Sequence, residues 1–195
     1  MTIYCATGNP GKLREFQLAA PDFDVRKLPV AVPAPDETGD TFEANAAEKA
    51  IAYGQHIDGY LFADDSGLEV DALGGDPGVR SARFAGEHAT DEANNALLLE
   101  RLRGIEKRTG RFVCVIALVK DGGLVKTFRG SVEGRILDGP RGAGGFGYDP
   151  LFFYEPFGCT FGEASIEQKM TVSHRAQALD AMFAYLRSLP EAAKL

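Results

Sequence analysis

Hydrophobic and polar residues follow two different periods along this chain, and they predict strands and helices in mixed order. Near-continuous apolar residues at 111–123 form the strongest strand pattern, and a DGG turn leads into a second strand at 124–136. A helical period marks the alanine-rich segment 41–57 and the segment 173–190. Shorter patterns predict strands at 2–6, 23–28 and 60–65 and helices at 12–20 and 90–104. Since βα steps occur beside a hairpin, we expect an α/β fold with a mixed sheet.

Length and composition are typical of a soluble globular protein. With 195 residues, 45% of them hydrophobic and 25% charged, the chain can form one substantial domain or two small lobes sharing a core. The clearest loop is the proline-rich and acidic segment 28–40, which is too short to be a separate domain. We therefore expect a single domain over residues 1–195.

Charge and cysteine usage exclude several classes of partner and location. A net charge of −7 makes a long nucleic acid a poor partner, because that binding requires many neutralised phosphates. No apolar run or basic leader indicates a membrane span or a secretory signal. The three scattered cysteines form neither a disulfide framework nor a zinc motif. We expect a cytoplasmic protein with no nucleic-acid or membrane partner.

The segment TGNPGK (7–12) interrupts a predicted strand just before a helix. It is not a Walker A loop, because Ala6 stands where the first glycine belongs and Leu13 where a hydroxyl residue belongs. It still has the features of an anion site: a helix start with free N–H groups, two glycines that allow close approach, and Lys12. The alternative is an ordinary βα turn with a surface lysine.

Acidic residues follow in two places. Asp64 and Asp65 end the predicted strand at 60–65, and alternation along a strand should send them to different sides. Glu37 lies in the predicted loop, and Lys49 lies on the next helix as a possible phosphate contact. Carboxylates near a phosphate site suggest Mg²⁺, held by one or two carboxylates and the substrate's phosphates. The alternative is a solvated acidic turn.

The C-terminal third combines aromatic residues with potential hydrogen-bond donors. Phe146 and Tyr148 stand between glycines and could present a flat face to a stacked base. Near the start of the last predicted helix, three side chains could donate hydrogen bonds to purine carbonyl oxygens: Lys169, His174 and Arg175. The alternative is a glycine hairpin followed by a capped helix with solvated charges.

Five stretches in this order resemble the inosine/xanthosine triphosphate pyrophosphatase family: 7–12, 41–50, 63–86, 144–150 and 173–179. The resemblance implies that Asp65 is the catalytic carboxylate and that Glu37 and Asp65 bind Mg²⁺. It implies that the substrate is bound by Thr7, Gly8, Asn9, Pro10, Gly11, Lys12, Lys49, Ser66, Phe146, Gly147, Tyr148, Asp149, Lys169, His174 and Arg175. One departure is the helix sequence FEANA, because other members often carry the acid one place later, next to the asparagine.

The resemblance also implies an activity and an architecture. Members hydrolyse deaminated purine nucleoside triphosphates (ITP, dITP and XTP) to the monophosphate and pyrophosphate, which removes them from the nucleotide pool. Their fold is elongated, with a long mixed sheet and two lobes around a central cleft, and they are usually homodimers. The residues leave open a related pyrophosphatase acting on modified pyrimidine triphosphates or on nucleotides in general, a nucleotide-binding regulatory module, and a scaffold protein.

Overall fold

The computed structural model of the chain describes residues 1–20, 22–29 and 31–190. Val30 of the predicted loop at 28–40 and the stretch 191–195 of the predicted domain lie outside the described residues. The strands are β1 Thr2–Ala6, β2 Asp24–Lys27, β3 Tyr60–Val70, β4 Thr109–Lys120, β5 Gly123–Ile136, β6 Phe152–Tyr154 and β7 Cys159–Thr160. The helices are α1 Pro10–Leu18, α2 Phe42–Gly54, α3 Asp91–Arg101, α4 Ile166–Met170 and α5 His174–Arg187.

The strands form one seven-stranded sheet in the order β2-β1-β3-β4-β5-β6-β7. β1 pairs in parallel with both β2 and β3, whereas β5 with β6 and β6 with β7 are antiparallel. Only two residues join β4 to β5, a connection that antiparallel neighbours can make. The predicted α/β fold with a mixed sheet is confirmed. No helix among the described residues is long and apolar enough to cross a membrane.

The chain divides into two compact units, each assembled from separate stretches of sequence. Unit 1 contains the described residues within Met1–Asp65, Cys114–Gly130 and His174–Leu195, and unit 2 contains Ser66–Val113 and Ser131–Ser173. In unit 1, Phe16 of α1 packs edge-on against Phe62 of β3, with ring centroids 5.0 Å apart. The core of unit 2 buries Leu68, Val70, Leu98, Leu102, Phe112, Val132, Ile136, Tyr148, Leu151, Phe152 and Phe161.

Strand β3 is longer than the alternation of residues 60–65 predicted. The predicted strand ended at Asp65, but the observed strand continues to Val70. Gly67 is required because a Cβ there would lie 2.4 Å from both Gly78 O and Ser81 Oγ. Ser81 Oγ also accepts the Leu68 N–H at 2.9 Å. The glycine therefore serves close packing inside unit 2.

Candidate active site

Helix α1 begins two residues earlier than predicted, and this changes the expected anion site. Asn9 is its N-cap, and Asn9 Oδ1 accepts the N–H groups of Gly11 and Lys12 at 2.8 and 3.2 Å. Pro10 has no N–H, and the N–H of Leu13 donates to Asn9 O. The prediction of free N–H groups at this helix start is therefore wrong, since the cap and the proline account for all of them. Lys12 is then the residue of TGNPGK on which the predicted anion site depends, and phosphate binding there stays a prediction.

Lys12 is half-buried and pairs with a buried ionic group in unit 1. We call the whole set the Lys12 cluster: Lys12, Asp64, Arg175 and Glu15. Lys12 Nζ lies 2.8 Å from Asp64 Oδ2. Arg175 lies 3.5 Å from that same oxygen through Nη2 and pairs with Glu15 through Nη1. Burial works against ionisation of Asp64, but Lys12 and Arg175 outweigh it, and its pKa lies well below its ordinary value. Asp64 is thus a permanently charged anchor for Lys12.

A second, partly buried set in unit 1, which we call the Lys49 cluster, consists of Lys49, Glu37, Asp65 and Asn45. Lys49 Nζ lies 3.0 Å from Glu37 Oε1 and 3.1 Å from Asp65 Oδ1. Asn45 Nδ2 donates to Asp65 Oδ2 at 3.2 Å. Asp64 and Asp65 therefore have separate partners, as strand alternation predicted. The structure brings Glu37, Lys49 and Asp65 together although they come from a loop, a helix and a strand.

The two neighbouring aspartates differ in proton affinity. The pKa of Asp65 is raised, first by burial and then by the negative charge of Glu37, although Lys49 and Asn45 act in the opposite direction. The pKa of Lys49 is also raised, because Asp65, Asp64 and Glu37 together outweigh the effect of its burial. Asp65 is therefore the carboxylate of the pair that is better suited to accept a proton.

The carboxylates of the Lys49 cluster suit a small divalent cation. Among the described residues, no three His, Cys, Asp or Glu side chains are grouped so that they could hold a metal ion. Mg²⁺ does not require such a group, because it often takes one or two carboxylates with water and substrate phosphates. Glu37 and Asp65 already share one cation, the Lys49 ammonium, at about 3 Å. Their oxygens and their convergence fit the predicted ion.

Helix α2 also holds the loop that carries Glu37. Asn45 is fully buried, and its Oδ1 accepts the Gly39 N–H at 2.8 Å. Glu48 accepts the Thr38 N–H at 3.3 Å. Sequence reasoning missed Asn45, yet a signal was present, because Asn45 and Lys49 are four residues apart and share one helix face. Glu43, the acid in the first turn of α2, pairs with Arg129 at 2.7 Å.

Five predicted substrate residues lie together in unit 2, in the turn 146–149 and the helix α4. Lys169 Nζ lies 2.6 Å from Asp149 Oδ2 and 4.8 Å from the centre of the Phe146 ring. Tyr148 is buried in the core, and its hydroxyl donates to Ser81 O at 2.7 Å. The prediction that Tyr148 presents a stacking face is corrected by this burial. Phe146 is half-buried, and its stacking on a base stays a prediction.

The positions of the remaining predicted residues do not indicate which of them contact the substrate. Thr7 Oγ1 accepts the N–H of Asn9 at 3.1 Å, and the neighbouring Gly8 is exposed. Ser66 is half-buried in β3, and His174 is buried at the first position of α5. The guanidinium of Arg175 is engaged by the carboxylates of the Lys12 cluster. Direct substrate contacts by these residues stay predictions.

Known proteins with similar sequences and structures identify the family of the chain. The Ham1 family matches residues 3–185 of the chain. The chain belongs to the Ham1 family. A dITP/XTP pyrophosphatase from an Exiguobacterium species is 51% identical over 92% of this chain and 93% of its own length. The dITP/XTP pyrophosphatase from Thermus thermophilus is 48% identical over 93% of this chain and 90% of its own length.

Solved structures of Ham1 proteins share the fold. The Staphylococcus aureus Ham1 protein aligns with a TM-score of 0.85 and 42% identity over 96% of this chain and 98% of its own. The Coxiella burnetii HAM1 protein aligns with a TM-score of 0.87 and 37% identity, covering 97% of this chain and all (100%) of its own. The family resemblance inferred from the five stretches is confirmed.

The cysteines of this Ham1 family member provide a test of the environment around Asp64. Cys114 Sγ lies 4.0 Å from Asp64 Oδ2. Burial, and then the charge of Asp64, raises the pKa of Cys114 to about 12 and that of Cys5 to about 11. A raised pKa keeps a thiol protonated as pH increases, so at pH 8 only about one in a thousand Cys5 side chains is the reactive thiolate, and still fewer at Cys114.

We therefore expect one reactive thiol, that of the half-buried Cys159, in the folded protein at pH 8. Labelling with an aromatic disulfide reagent should modify one thiol rapidly and all three only after unfolding in guanidinium. The variant Cys159→Ser should lose the rapid phase. A rapid phase that survives in Cys159→Ser would contradict the buried, protonated state of the other two.

Proposed function

We propose that this protein hydrolyses the deaminated purine nucleoside triphosphates ITP, dITP and XTP to the nucleoside monophosphate and pyrophosphate. The observation that carries the proposal is the Lys49 cluster, where Glu37 and Asp65 share a cation and the pKa of Asp65 is raised. Paired carboxylates of this kind suit hydrolysis assisted by Mg²⁺, and pure nucleotide binding does not require them. The printed names of the relatives, dITP/XTP pyrophosphatase, support the same activity.

The proposed reaction uses the two clusters of unit 1 for different tasks. Lys12, oriented by Asp64, and Lys49 bind the phosphate chain. A water molecule held by Asp65 attacks the α-phosphorus in line, its proton passes to the carboxylate, and the bond to the β-phosphate breaks. Mg²⁺, held by Glu37 and Asp65, would neutralise charge that develops on the phosphate oxygens. Asp64 remains ionised and takes no part in proton transfer.

Selection of the base is assigned to Phe146 and Lys169 in unit 2. An aromatic ring can stack on a purine, and an ammonium beside it can donate to the 6-oxo group of inosine or xanthosine. Adenosine carries a 6-amino donor at that position. A buried donor facing another donor costs about 1–3 kcal/mol, which corresponds to roughly tenfold to hundredfold discrimination.

A substrate panel tests the activity. In the presence of Mg²⁺ we expect pyrophosphate release from ITP, dITP and XTP at rates at least about tenfold above those from ATP and GTP. The assay must separate pyrophosphate from orthophosphate, since the latter would indicate cleavage at a different bond. Equal rates on all five nucleotides would contradict the assigned base recognition and favour a general nucleotide hydrolase.

We further propose that the protein acts as a homodimer in the cytoplasm. The family resemblance supports the dimer, and the three free cysteines are compatible with a reducing compartment. Light scattering of the purified chain tests the dimer, and a molar mass of a single chain would contradict it. Fractionation of the source cells tests the location, and recovery outside the cytosol would contradict that part.

A further inference from the structure

Helix α3 holds both backbone polar groups of one glycine in the turn 146–149. The N–H of Gly147 donates to Asp91 Oδ2 at 2.6 Å. The carbonyl of Gly147 accepts from Asn95 Nδ2 at 3.0 Å. Asp91 and Asn95 are four residues apart, so their side chains lie on the same face of α3. We call these two side chains the α3 clamp.

The clamp acts where the turn has the least regular backbone. Gly147 has a φ of +60°, a left-handed conformation that glycine adopts without steric cost. Its neighbours are held separately, because the Phe146 N–H donates to Asp149 Oδ2 at 3.0 Å and the Tyr148 hydroxyl donates to Ser81 O. Gly147 has no side chain with which to anchor itself. The clamp therefore supplies the contacts that orient the peptide groups next to Phe146.

Helix α3 does not depend on this pair for its own place in unit 2. Thr90 caps the helix by accepting the Ala93 N–H, and Leu98 and Leu102 are fully buried in the core. The adjacent Asn94 has a different task, since it bonds to Ala85 N and Ala82 O. Asp91 is exposed, so its contact with Gly147 adds orientation to the turn more than it adds to the stability of the helix.

We propose that Asp91 and Asn95 are positioning residues for recognition of the purine base, acting through Gly147 on the ring of Phe146. This inference rests on the proposed function, because it takes Phe146 as the stacking surface. It predicts an effect on ligands that carry a base and none on the phosphate chain alone. A role limited to folding would affect both kinds of ligand together.

The test compares truncation of two acids in the first turn of α3. Asp91→Ala removes the acceptor of the Gly147 N–H, whereas Glu92→Ala removes the exposed neighbouring carboxylate and leaves the clamp intact. Calorimetry should show that Asp91→Ala weakens IMP binding roughly tenfold, as expected if the turn then keeps its binding orientation about one tenth of the time. Affinity for inorganic pyrophosphate should stay unchanged in both variants. Asp91→Asn keeps an acceptor and should restore most of the IMP affinity.

Kinetics and the second clamp residue complete the test. With ITP, Asp91→Ala should raise KM roughly tenfold with little change in kcat. Asn95→Asp places an acceptor against the Gly147 carbonyl and should weaken IMP binding in the same way. Equal losses of affinity for IMP and pyrophosphate, or no loss for either, would contradict the proposed positioning role of the clamp.

The proposed activity and the positioning role of the clamp can be contradicted separately. Wild-type protein that binds IMP but releases no pyrophosphate from ITP would overturn the proposed activity, while the clamp is still decided by IMP affinity. Wild-type protein that binds neither IMP nor ITP would overturn both. Melting curves of the Asp91→Ala and Glu92→Ala variants should coincide, and a selective loss of stability in Asp91→Ala would assign the clamp to folding.

Discussion

Asp65→Asn should lower kcat on ITP by roughly a thousandfold while the protein stays folded, since a general base typically contributes about 10²–10⁴-fold. Asparagine preserves size and can still accept the hydrogen bond from Asn45, but it cannot take a proton or bind a cation as a carboxylate does. The measurement is steady-state pyrophosphate release with saturating Mg²⁺. Near-wild-type turnover would remove Asp65 from the chemistry.

The same variant should not lose stability at neutral pH. A carboxyl group whose pKa is raised on folding favours the folded state below its ordinary pKa of 3.8, and this contribution is lost as pH rises through the raised value. At pH 7 the ionised Asp65 therefore costs stability, and the neutral amide avoids that cost. We expect a melting temperature at pH 7 equal to or above that of the wild type. Asp36→Asn, which neutralises an exposed acid beside Glu37, is the matched control and should leave kcat unchanged.

Arg175→Leu should destabilise the folded protein by about 3–5 kcal/mol, the usual cost of removing one partner from a buried ion pair. The Arg175 side chain is only 1% exposed, and leucine would leave the carboxylates of Glu15 and Asp64 without this cation. Asp64 would then hold Lys12 less firmly, so turnover should also fall. Urea unfolding measures the first effect, and ITP hydrolysis well below the denaturation midpoint measures the second.

Arg187→Leu is the control on the same helix. Arg187 pairs with Asp22 at 3.2 Å, but its side chain is 48% exposed, and exposed pairs contribute less than about 1 kcal/mol. The two substitutions remove the same side chain from α5 and differ in burial. Equal losses of stability in both variants would show that the Lys12 cluster contributes no more than a surface ion pair.

Local sequence patterns were sufficient to predict much of the secondary structure and the fold class of this protein. The mixed α/β class, the β4–β5 hairpin and the long helices followed from periodicity, because side-chain spacing on strands and helices is set within a few residues. The same reasoning separated Asp64 from Asp65, and their partners in the structure agree. The order of five short stretches was sufficient to indicate the family.

Tertiary structure decided what the charged and polar side chains do. Arg175 pairs with Glu15, 160 residues away in sequence, and Asp91 reaches Gly147 across 56 residues. No local period encodes such partners, because they depend on which elements pack together. Burial likewise decided that Tyr148 belongs to the core and that the pKa of Asp65 rises, whereas the nearby charges of Lys12 and Arg175 lower the pKa of Asp64 against the effect of its burial. The sequence by itself determined which residue types were present and in what local order, whereas long-range packing alone decided which of them meet and in what protonation state.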